Sequence, residues 1–276
     1  MRLDHWLQAA RRQVDALDAR RLVEHVTGLT HAELICRPET WLTPAQQTRL
    51  AALVARRAAG EPLAYLLGSA GFRGHTLRVS PAVLVPRPET EELVDLALDT
   101  LRALGAATPH VLDLGTGSGA IAISLALEYP GAQVSAVDIS PAALAVAEAN
   151  GAALAAPVRW RQSDWFTALT AERFHLIVAN PPYIDAHDPH LDGDGLRFEP
   201  RLALTDEADG LAAIRHIVAA APAHLEPGGW LLFEHGWQQG PASRNLLRAT
   251  GFQGVQTWQD LAGHERISGG YLPLAP

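Results

Sequence analysis

The amino-acid sequence predicts an α/β protein in which a small N-terminal helical domain precedes a doubly wound, mostly parallel sheet of seven strands. Three features support this prediction. Apolar residues recur at helical spacing over residues 1–68, a β-prone stretch with glycines and a proline covers 69–86, and helix and strand patterns alternate from 87 onwards. We therefore expect a helical domain at 1–68, a connecting β-hairpin at 69–86 and an α/β domain at 87–276.

The helical domain has both the periodicity and the boundary residues of short helices. Thr43-Pro44 supplies a helix cap followed by a proline at the first helical position, and Gly60-Glu61-Pro62 marks a stop. The apolar residues at helical spacing are Leu3, Trp6, Leu7, Ala10, Val14, Leu50, Leu53 and Val54. These signals predict several short helices.

The α/β domain is expected to begin with a helix near Pro88, where Glu89, Glu91 and Glu92 complement the positive end of the helix dipole. Strands are predicted at 110–114, 133–138, 158–162, 174–179 and 230–234. Helices are predicted at 119–129, 141–155 and 207–223. The β-rich segments Val255 to Trp258 and Tyr271-Leu272 predict a final antiparallel pair, which brings the sheet to seven strands.

The basic residues of the chain are all arginine. There are 22 of them, and the absence of lysine excludes Schiff-base chemistry, a lysine general base and the lysine of a P-loop. The net charge is −8, but residues 1–75 carry ten arginines against seven acidic residues, a net +3, and the remainder carries −11. An acidic α/β domain argues against a nucleic acid held along an extended groove.

The sequence has no pattern that predicts a membrane segment or secretion. It lacks a run of eighteen apolar residues, and Met1 to His5 do not begin a signal peptide, so we expect a cytoplasmic protein with no membrane partner. The single cysteine, Cys36, excludes an intrachain disulfide framework and a Cys-rich zinc site, and we expect it in the core.

The loop Asn180-Pro181-Pro182-Tyr183 follows the apolar run at 174–179, and open α/β sheets bind ligands at the carboxyl ends of their strands. Its prolines fix the backbone and remove competing N–H donors. The side-chain oxygen of Asn180 and the backbone carbonyl of Pro181 are then two acceptors for a planar –NH2 group, beside the flat ring of Tyr183. The same residues also suit a simple turn that ends a buried strand.

A glycine-rich loop, Gly115-Thr116-Gly117-Ser118-Gly119, joins the strand predicted at 110–114 to an apolar helix. Glycines at such a point let the backbone turn sharply and approach a ligand at the helix N-terminus. The spacing also satisfies the dinucleotide fingerprint, with Ala120 as its last residue. Under either interpretation an acid at the end of the next strand binds ribose hydroxyls, and Asp138 occupies that position.

Two further residues favour S-adenosylmethionine over NAD. Asp113 precedes the loop, where a carboxylate can balance an ammonium or sulfonium group but would repel a pyrophosphate. Trp165 offers an aromatic face for adenine, although core packing explains this residue equally well. A sulfonium methyl is a strong electrophile, so the enzyme mainly has to hold a nitrogen in line, with Asn180 and the Pro181 carbonyl accepting its hydrogens.

Five segments of the chain, in the same order, resemble the bacterial peptide chain release factor glutamine methyltransferases. They are residues 85–91, 113–119, 180–184, 198–204 and 234–237. The tetrad at 180–183 alone is shared with adenine methyltransferases, whereas 85–91 and 198–204 are much more specific. The resemblance implies a class I S-adenosylmethionine methyltransferase fold, a substrate-docking role for residues 1–68, and as substrate the glutamine of the Gly-Gly-Gln motif in class 1 release factors.

The resemblance also assigns the site. Cofactor contacts fall on Gly115, Thr116, Gly117, Ser118, Gly119, Asp138, Trp165 and Asn180. Substrate contacts fall on Asn180, Pro181, Pro182 and Tyr183, of which Asn180, Pro181 and Tyr183 form the catalytic set. The hairpin segment Gly71 to Gly74 departs from the family pattern and is not assigned to the site. Arg87 and Glu89 are not assigned either, because a helix start explains them.

The segment Asp188 to Gly193, followed by Glu199, matches a calcium-loop pattern except at His190, which is a poor calcium ligand. We expect no metal and interpret this loop as a mobile lid over the substrate.

Three hypotheses follow. The first is a protein-glutamine methyltransferase whose partner is a release factor, with no direct nucleic-acid partner. The second applies the same chemistry to an adenine or guanine amino group in DNA or RNA. The third is a non-catalytic nucleotide-binding protein in which residues 180–183 are only a turn.

Overall fold

The computed structural model describes residues 1–193 and 195–274. Its N-terminal module contains the helices α1 (Leu3–Ala10), α2 (Ala16–Thr27), α3 (His31–Cys36), α4 (Pro44–Ala58) and α5 (Leu63–Leu67). The predicted start of α4 is confirmed, because Thr43 and Gln46 form a capping box and Pro44 is the first helical residue. Helices α1, α2 and α4 pack around the fully buried Leu3, Leu22 and Leu50. The prediction that Cys36 lies in the core is wrong, since it is exposed at the end of α3.

The predicted hairpin consists of β1 (Ser69–Phe72) and β2 (His75–Arg78), which pair antiparallel as a separate two-stranded sheet. Arg73 in its turn reaches away from the strands and forms ion pairs with Asp95 at 2.8 Å and Glu128 at 2.6 Å. Its backbone N–H donates to the Glu91 side chain at 2.9 Å. These contacts fasten the tip of the hairpin to two helices of the α/β domain.

The α/β domain contains the predicted seven-stranded sheet. Its strands are β3 (His110–Leu114), β4 (Gln133–Asp138), β5 (Val158–Gln162), β6 (Phe174–Ala179), β7 (Leu225–Glu234), β8 (Gln253–Gln259) and β9 (Glu265–Tyr271). Their order across the sheet is β5-β4-β3-β6-β7-β9-β8, and β9 runs antiparallel to the other six strands. The doubly wound, mostly parallel fold and the antiparallel tail pair are thereby confirmed.

Helices cover both faces of this sheet. They are α6 (Thr90–Leu104), α7 (Ala120–Glu128), α8 (Pro141–Leu154), α9 (Ala212–His224) and α10 (Gly240–Ala249). Alternate residues of the central strand β3 point to opposite sides: Val111 packs in the core with α6 and α7, whereas Leu112 packs in the core with α9 and α10. Of the helices in the described ranges, none is both long and apolar enough to cross a membrane.

Four elements differ from the prediction. Strand β9 begins at Glu265 rather than at the predicted Tyr271, and its first two residues, which are charged, form ion pairs with Arg244 and Asp260. Helix α9 begins at Ala212 rather than 207, because the Asp206 carboxylate accepts hydrogen bonds from the N–H groups of Ala208, Gly210 and Ala212 and folds the preceding residues into a turn. Strand β7 begins at Leu225, five residues before the predicted start. Helix α10 was not predicted, because its opening Gly240-Pro241 resembles a loop although proline suits a first helical turn.

The helical module packs directly against the α/β domain. Tyr65 of α5 donates a hydrogen bond to the backbone carbonyl of Val83 at 2.6 Å, and both residues lie in one small core with Val79 and Ala143. The division of the chain at residues 68 and 86 stays a prediction.

Two glycines in the left-handed conformation give a test of the packing around the glycine loop. Gly119 precedes α7 with φ 84°, and a Cβ there would lie 3.0 Å from Ile123 and 3.1 Å from Trp160. Gly105 ends α6 with φ 65°, and a Cβ there would meet nothing within 4 Å.

We expect Gly119→Ala to lower the free energy of unfolding more than Gly105→Ala. Both variants strain the left-handed backbone by about 1–2 kcal/mol, and only Gly119→Ala adds crowding of roughly 1–3 kcal/mol. Urea denaturation followed by tryptophan fluorescence measures both. Equal losses would contradict the packing described for Gly119.

Candidate active site

A cavity opens at the carboxyl ends of β3, β4 and β6, where the sheet order reverses and open α/β sheets bind ligands. The sequence-predicted residues on its wall are Gly115, Thr116, Gly117, Ser118, Asp138, Trp165, Asn180 and Pro182. Three further predicted residues, Gly119, Pro181 and Tyr183, are not among the residues that line it. The fold therefore brings most of the predicted site together in one place.

The glycine loop and Asp138 are held together by backbone hydrogen bonds. The Asp138 carboxylate accepts from the N–H of Gly117 and the N–H of Ser140, both at 2.9 Å. Burial raises the pKa of Asp138, and these backbone donors oppose that shift. An ionised carboxylate only accepts hydrogen bonds, so hydroxyl groups of a ribose are suitable partners for the oxygens of Asp138 on the cavity wall.

Asp113 lies behind the loop rather than on the cavity wall. It is fully buried, and its Oδ2 accepts from the Thr116 hydroxyl at 2.6 Å and from the Ala122 N–H at 3.3 Å. Within the described part of the chain, its Oδ1 has no hydrogen-bond partner. Burial raises the pKa of Asp113 to about 7. The interpretation that Asp113 meets a cationic ligand directly therefore needs correction, because its contacts hold the loop instead.

Trp165 forms one wall of the cavity against the glycine loop. Its backbone is left-handed, with φ 47°, and its ring lies 3.6 Å from where a Cβ of Gly115 would be. The same ring packs on the core cluster that contains Phe166 and Leu169. Trp165 thus packs on the core and also lines the cavity, so core packing is confirmed and its contact with adenine stays a prediction.

The loop after β6 presents Asn180 to the cavity. The Asn180 Nδ2 group donates to the Thr90 hydroxyl at 3.1 Å, and the Thr90 hydroxyl donates to Glu234 Oε2 at 2.8 Å. The Tyr183 hydroxyl donates to Glu234 Oε1 at 3.1 Å. The ring that was expected to face the substrate is therefore not among the residues that line the cavity, and its hydroxyl is bonded to Glu234.

Gln239 fixes the backbone of the same loop. Its side-chain Nε2 donates to the carbonyl oxygens of Tyr183 at 3.0 Å and Gly210 at 3.1 Å, and its Oε1 accepts from the Gly236 N–H at 2.9 Å. Three separate segments are joined by this one amide. The rigidity expected from the prolines is therefore reinforced by a side chain that sequence reasoning did not identify.

An ion pair that was not assigned from the sequence covers the cavity from the other side. The Glu199 side chain is 2% exposed, and it accepts from the Arg87 guanidinium at 2.5 Å and from the Val85 N–H at 3.0 Å. These contacts hold the segment that begins at Glu199 against Val85 and Arg87. Pro200 and Leu202 of this segment line the cavity. Arg87 and Thr90 also lie on the wall, beside the Pro-rich segment at 85–88 that the resemblance had marked as specific.

Two acidic residues of the calcium-loop pattern are engaged in other contacts in the described part of the chain. Asp188 bonds to the backbone and ring of His190, and Glu199 is turned inward to Arg87. Throughout the described ranges, no group of three or more His, Cys, Asp or Glu side chains could hold a metal ion.

Comparison with protein families agrees with this architecture. The PrmC N-terminal domain model matches residues 3–68, and the Methyltransferase small domain model matches residues 93–192. The fold and the site define the protein as a methyltransferase. The release factor glutamine methyltransferase of Bordetella pertussis is 55% identical to this chain, over 93% of this chain and 94% of that protein. That of Escherichia coli is 45% identical, over 97% of this chain and 98% of that protein. The chain belongs to the family of release factor glutamine methyltransferases, as the sequence segments indicated.

Solved structures share the fold. The T. thermophilus 16S rRNA N2 G1207 methyltransferase, in complex with AdoMet and guanosine, is 26% identical with a TM-score of 0.55, over 74% of this chain and 49% of that one. A methyltransferase from Pyrococcus furiosus is 17% identical with a TM-score of 0.54, over 84% of this chain and 100% of that one.

The buried carboxyl of Asp113 predicts a pH-dependent contribution to stability. Its pKa is raised from 3.8 to about 7 in the folded protein, so the folded state holds the proton more tightly than the unfolded chain. This contribution is therefore fully present below about pH 4 and is lost as the pH rises through about 7.

Asp113→Asn removes that contribution, and most other groups contribute equally in the two proteins. Asp138 is an exception, because its charge raises the pKa of Asp113. Urea denaturation at several pH values should give a stability difference, wild type minus variant, that falls as the pH rises from about 4 to about 8. A difference that stays constant over this range would show that Asp113 keeps its ordinary pKa.

Proposed function

We propose that this protein transfers a methyl group from S-adenosylmethionine to the side-chain amide nitrogen of the glutamine in the Gly-Gly-Gln motif of class 1 release factors. The observation that carries the proposal is the placement of Asn180 on the cavity wall, next to the glycine loop and Asp138, with its Nδ2 group donating to the Thr90 hydroxyl, which leaves its Oδ1 for an acceptor group. The full-length similarity to release factor glutamine methyltransferases, at 45–55% identity, supports the choice of acceptor.

The cofactor fits the donors and acceptors of the cavity. Asp138 accepts hydrogen bonds from the ribose hydroxyls, Trp165 packs against the adenine, and Gly115 to Gly119 let the backbone approach the remainder of the molecule. The similar rRNA methyltransferase was solved with AdoMet, which supports the same cofactor here. When bound, S-adenosylmethionine supplies an electrophilic methyl group on a sulfonium.

The protein's own contribution is to hold and polarise a poor nucleophile. The lone pair of an amide nitrogen is delocalised, and positive charge develops on the nitrogen as the new C–N bond forms and the bond between the methyl carbon and the sulfonium sulfur breaks, which leaves a neutral thioether. Asn180 Oδ1, on the cavity wall, and the backbone carbonyl of Pro181, which follows it in the chain, accept the two N–H hydrogens, which orients the nitrogen and stabilises that charge. One of these two protons then leaves the nitrogen for solvent, so that the product is a neutral N-methyl amide. The Arg87–Glu199 pair holds Pro200 and Leu202 over the cavity, which limits the access of water to the reacting atoms.

The route for a protein substrate lies beside the helical module. A second cavity is lined by Arg57, Gly60 and Pro62 of that module and by Arg87 and Glu199 of the α/β domain. Arg87 belongs to both cavities, so a loop inserted between the two domains reaches the cofactor cavity past this side chain. Such a cleft suits a glutamine carried on an exposed protein loop, and the helical module is then the docking domain.

Incubation of the protein with S-adenosylmethionine and a purified class 1 release factor tests the proposal. Mass spectrometry of the Gly-Gly-Gln peptide should find one added methyl group on the glutamine, and a release factor with that glutamine changed to alanine should gain none. Parallel reactions with DNA and RNA decide the second hypothesis. Transfer to a nucleic acid and not to the release factor would overturn the proposed acceptor.

Asn180→Ala tests the site itself. Loss of a preorganised hydrogen-bond partner at a reacting group commonly costs about 10²–10³-fold in kcat, and we expect at least this loss here because Asn180 also orients the nitrogen. Affinity for S-adenosylmethionine, measured by isothermal titration, should change less than about 10-fold, since the loop and Asp138 remain. The control is Asn245→Ala, which removes an exposed amide on α10. Comparable turnover in both variants would show that the site is misassigned.

A further inference from the structure

The orientation of the Asn180 amide is determined by the hydrogen bonds behind it. An amide has an accepting end and a donating end, and the proposed reaction needs the accepting end, Oδ1, to face the acceptor nitrogen. The donating end, Nδ2, meets the Thr90 hydroxyl at 3.1 Å. A rotation of the amide by 180° would leave the shape of the loop unchanged but would present hydrogens to the substrate, so something has to select one orientation.

The Thr90 hydroxyl has one proton, and the direction in which it donates sets the direction of every hydrogen bond from Asn180 to Glu234. It donates to Glu234 Oε2 at 2.8 Å, and Glu234 Oε1 accepts from the Tyr183 hydroxyl at 3.1 Å. Since a carboxylate only accepts, the proton of Thr90 is committed to Glu234 and its lone pair faces Asn180. The opposite orientation of Asn180 would place its Oδ1 against that lone pair, with no hydrogen between two acceptors.

Burial makes this selection strong. Thr90 is 5% exposed and Glu234 is 2% exposed, so water does not replace a hydrogen bond that is lost. Burial raises the pKa of Glu234, and Glu89 before α6 adds to that shift. The Thr90 and Tyr183 hydroxyls, which donate to Glu234, and Arg266 of β9 oppose the shift and favour the carboxylate.

We propose that Thr90 and Glu234 are positioning residues for methyl transfer, because the hydrogen-bond chain Glu234–Thr90–Asn180 holds the amide oxygen of Asn180 towards the substrate nitrogen. The inference rests on the proposed function for its substrate, but it concerns any planar –NH2 group that binds at Asn180. Neither residue was selected from the sequence as part of the site.

Thr90→Val tests the chain, because it keeps the shape of the side chain and removes the hydroxyl. We expect kcat to fall about 10- to 100-fold as Asn180 populates both orientations, with the KM for S-adenosylmethionine changed less than about 3-fold. Thr90→Ser retains the hydroxyl and should restore kcat to within about 3-fold of wild type. The matched control is Thr100→Val on the same helix, which removes another buried hydroxyl that bonds only to the Leu96 carbonyl.

A kcat for Thr90→Val that equals that of Thr100→Val would overturn the inference. Glu234→Met tests the other end of the hydrogen-bond chain. It removes the carboxylate that accepts the Thr90 proton and leaves Asn180 Oδ1 as the partner for that proton. It should lower kcat in the wild-type background and add less than about 3-fold in the Thr90→Val background, because both changes break one chain. A full additive loss would overturn the route through Thr90.

A measurement that needs no methyl acceptor separates this inference from the proposed function. The side-chain amide signals of Asn180 are the pair that disappears from the 15N NMR spectrum of Asn180→Ala. One proton of the pair should exchange slowly with solvent in wild type and Thr90→Ser, and markedly faster in Thr90→Val. Unchanged exchange in Thr90→Val would overturn the inference, whereas wild type that fails to methylate a release factor would overturn the proposed function alone.

Discussion

The parallel pairing of β3 with β6 is the constraint on which the site depends. In this register Leu114 lies beside Ala179, so the residues that follow, Gly115 and Asn180, leave the sheet as neighbours. One segment begins the loop proposed for the cofactor, and the other begins the loop proposed for the acceptor. A shift of one residue in that register would also turn the faces of a strand that is buried on both sides. Packing on both faces of the sheet therefore fixes the register of these strands, and with it the distance between the two loops.

Around this centre, the remaining contacts come from parts of the chain that are distant in sequence. Glu199 bonds to Val85 and Arg87, across more than a hundred residues. Glu234 at the end of β7 joins Thr90 of α6 to Tyr183 of the loop that begins at Asn180. Removal of Arg87 would leave the buried Glu199 carboxylate without its ion-pair partner, which is strongly destabilising. The cavity is thus closed by long-range polar contacts laid over a locally encoded framework.

The framework could be predicted from sequence because its signals are local. A glycine loop after an apolar strand, an acid at the end of the next strand and an Asn-Pro-Pro-Tyr turn each depend on adjacent residues, and the sheet places Gly117, Asp138 and Asn180 together. Asp113 was misinterpreted because adjacency in sequence does not say which side of a loop a carboxylate faces. Thr90 and Glu199 could not be assigned, because their partners lie ninety or more residues away in the chain. Helix α10 was missed because its first residues, Gly240-Pro241, are equally typical of a loop.

The contact between Tyr65 and Val83 has a thermodynamic consequence. Tyr65 belongs to the last helix of the N-terminal module, and Val83, whose carbonyl oxygen it binds, lines the cofactor cavity. A bound partner that displaces that helix would therefore move part of the cavity wall. Whatever coupling free energy results is shared equally, since a partner that strengthens cofactor binding must itself be bound more tightly when the cofactor is present. The hydrogen bond of the Tyr65 hydroxyl would thus couple the binding free energies of the partner and the cofactor.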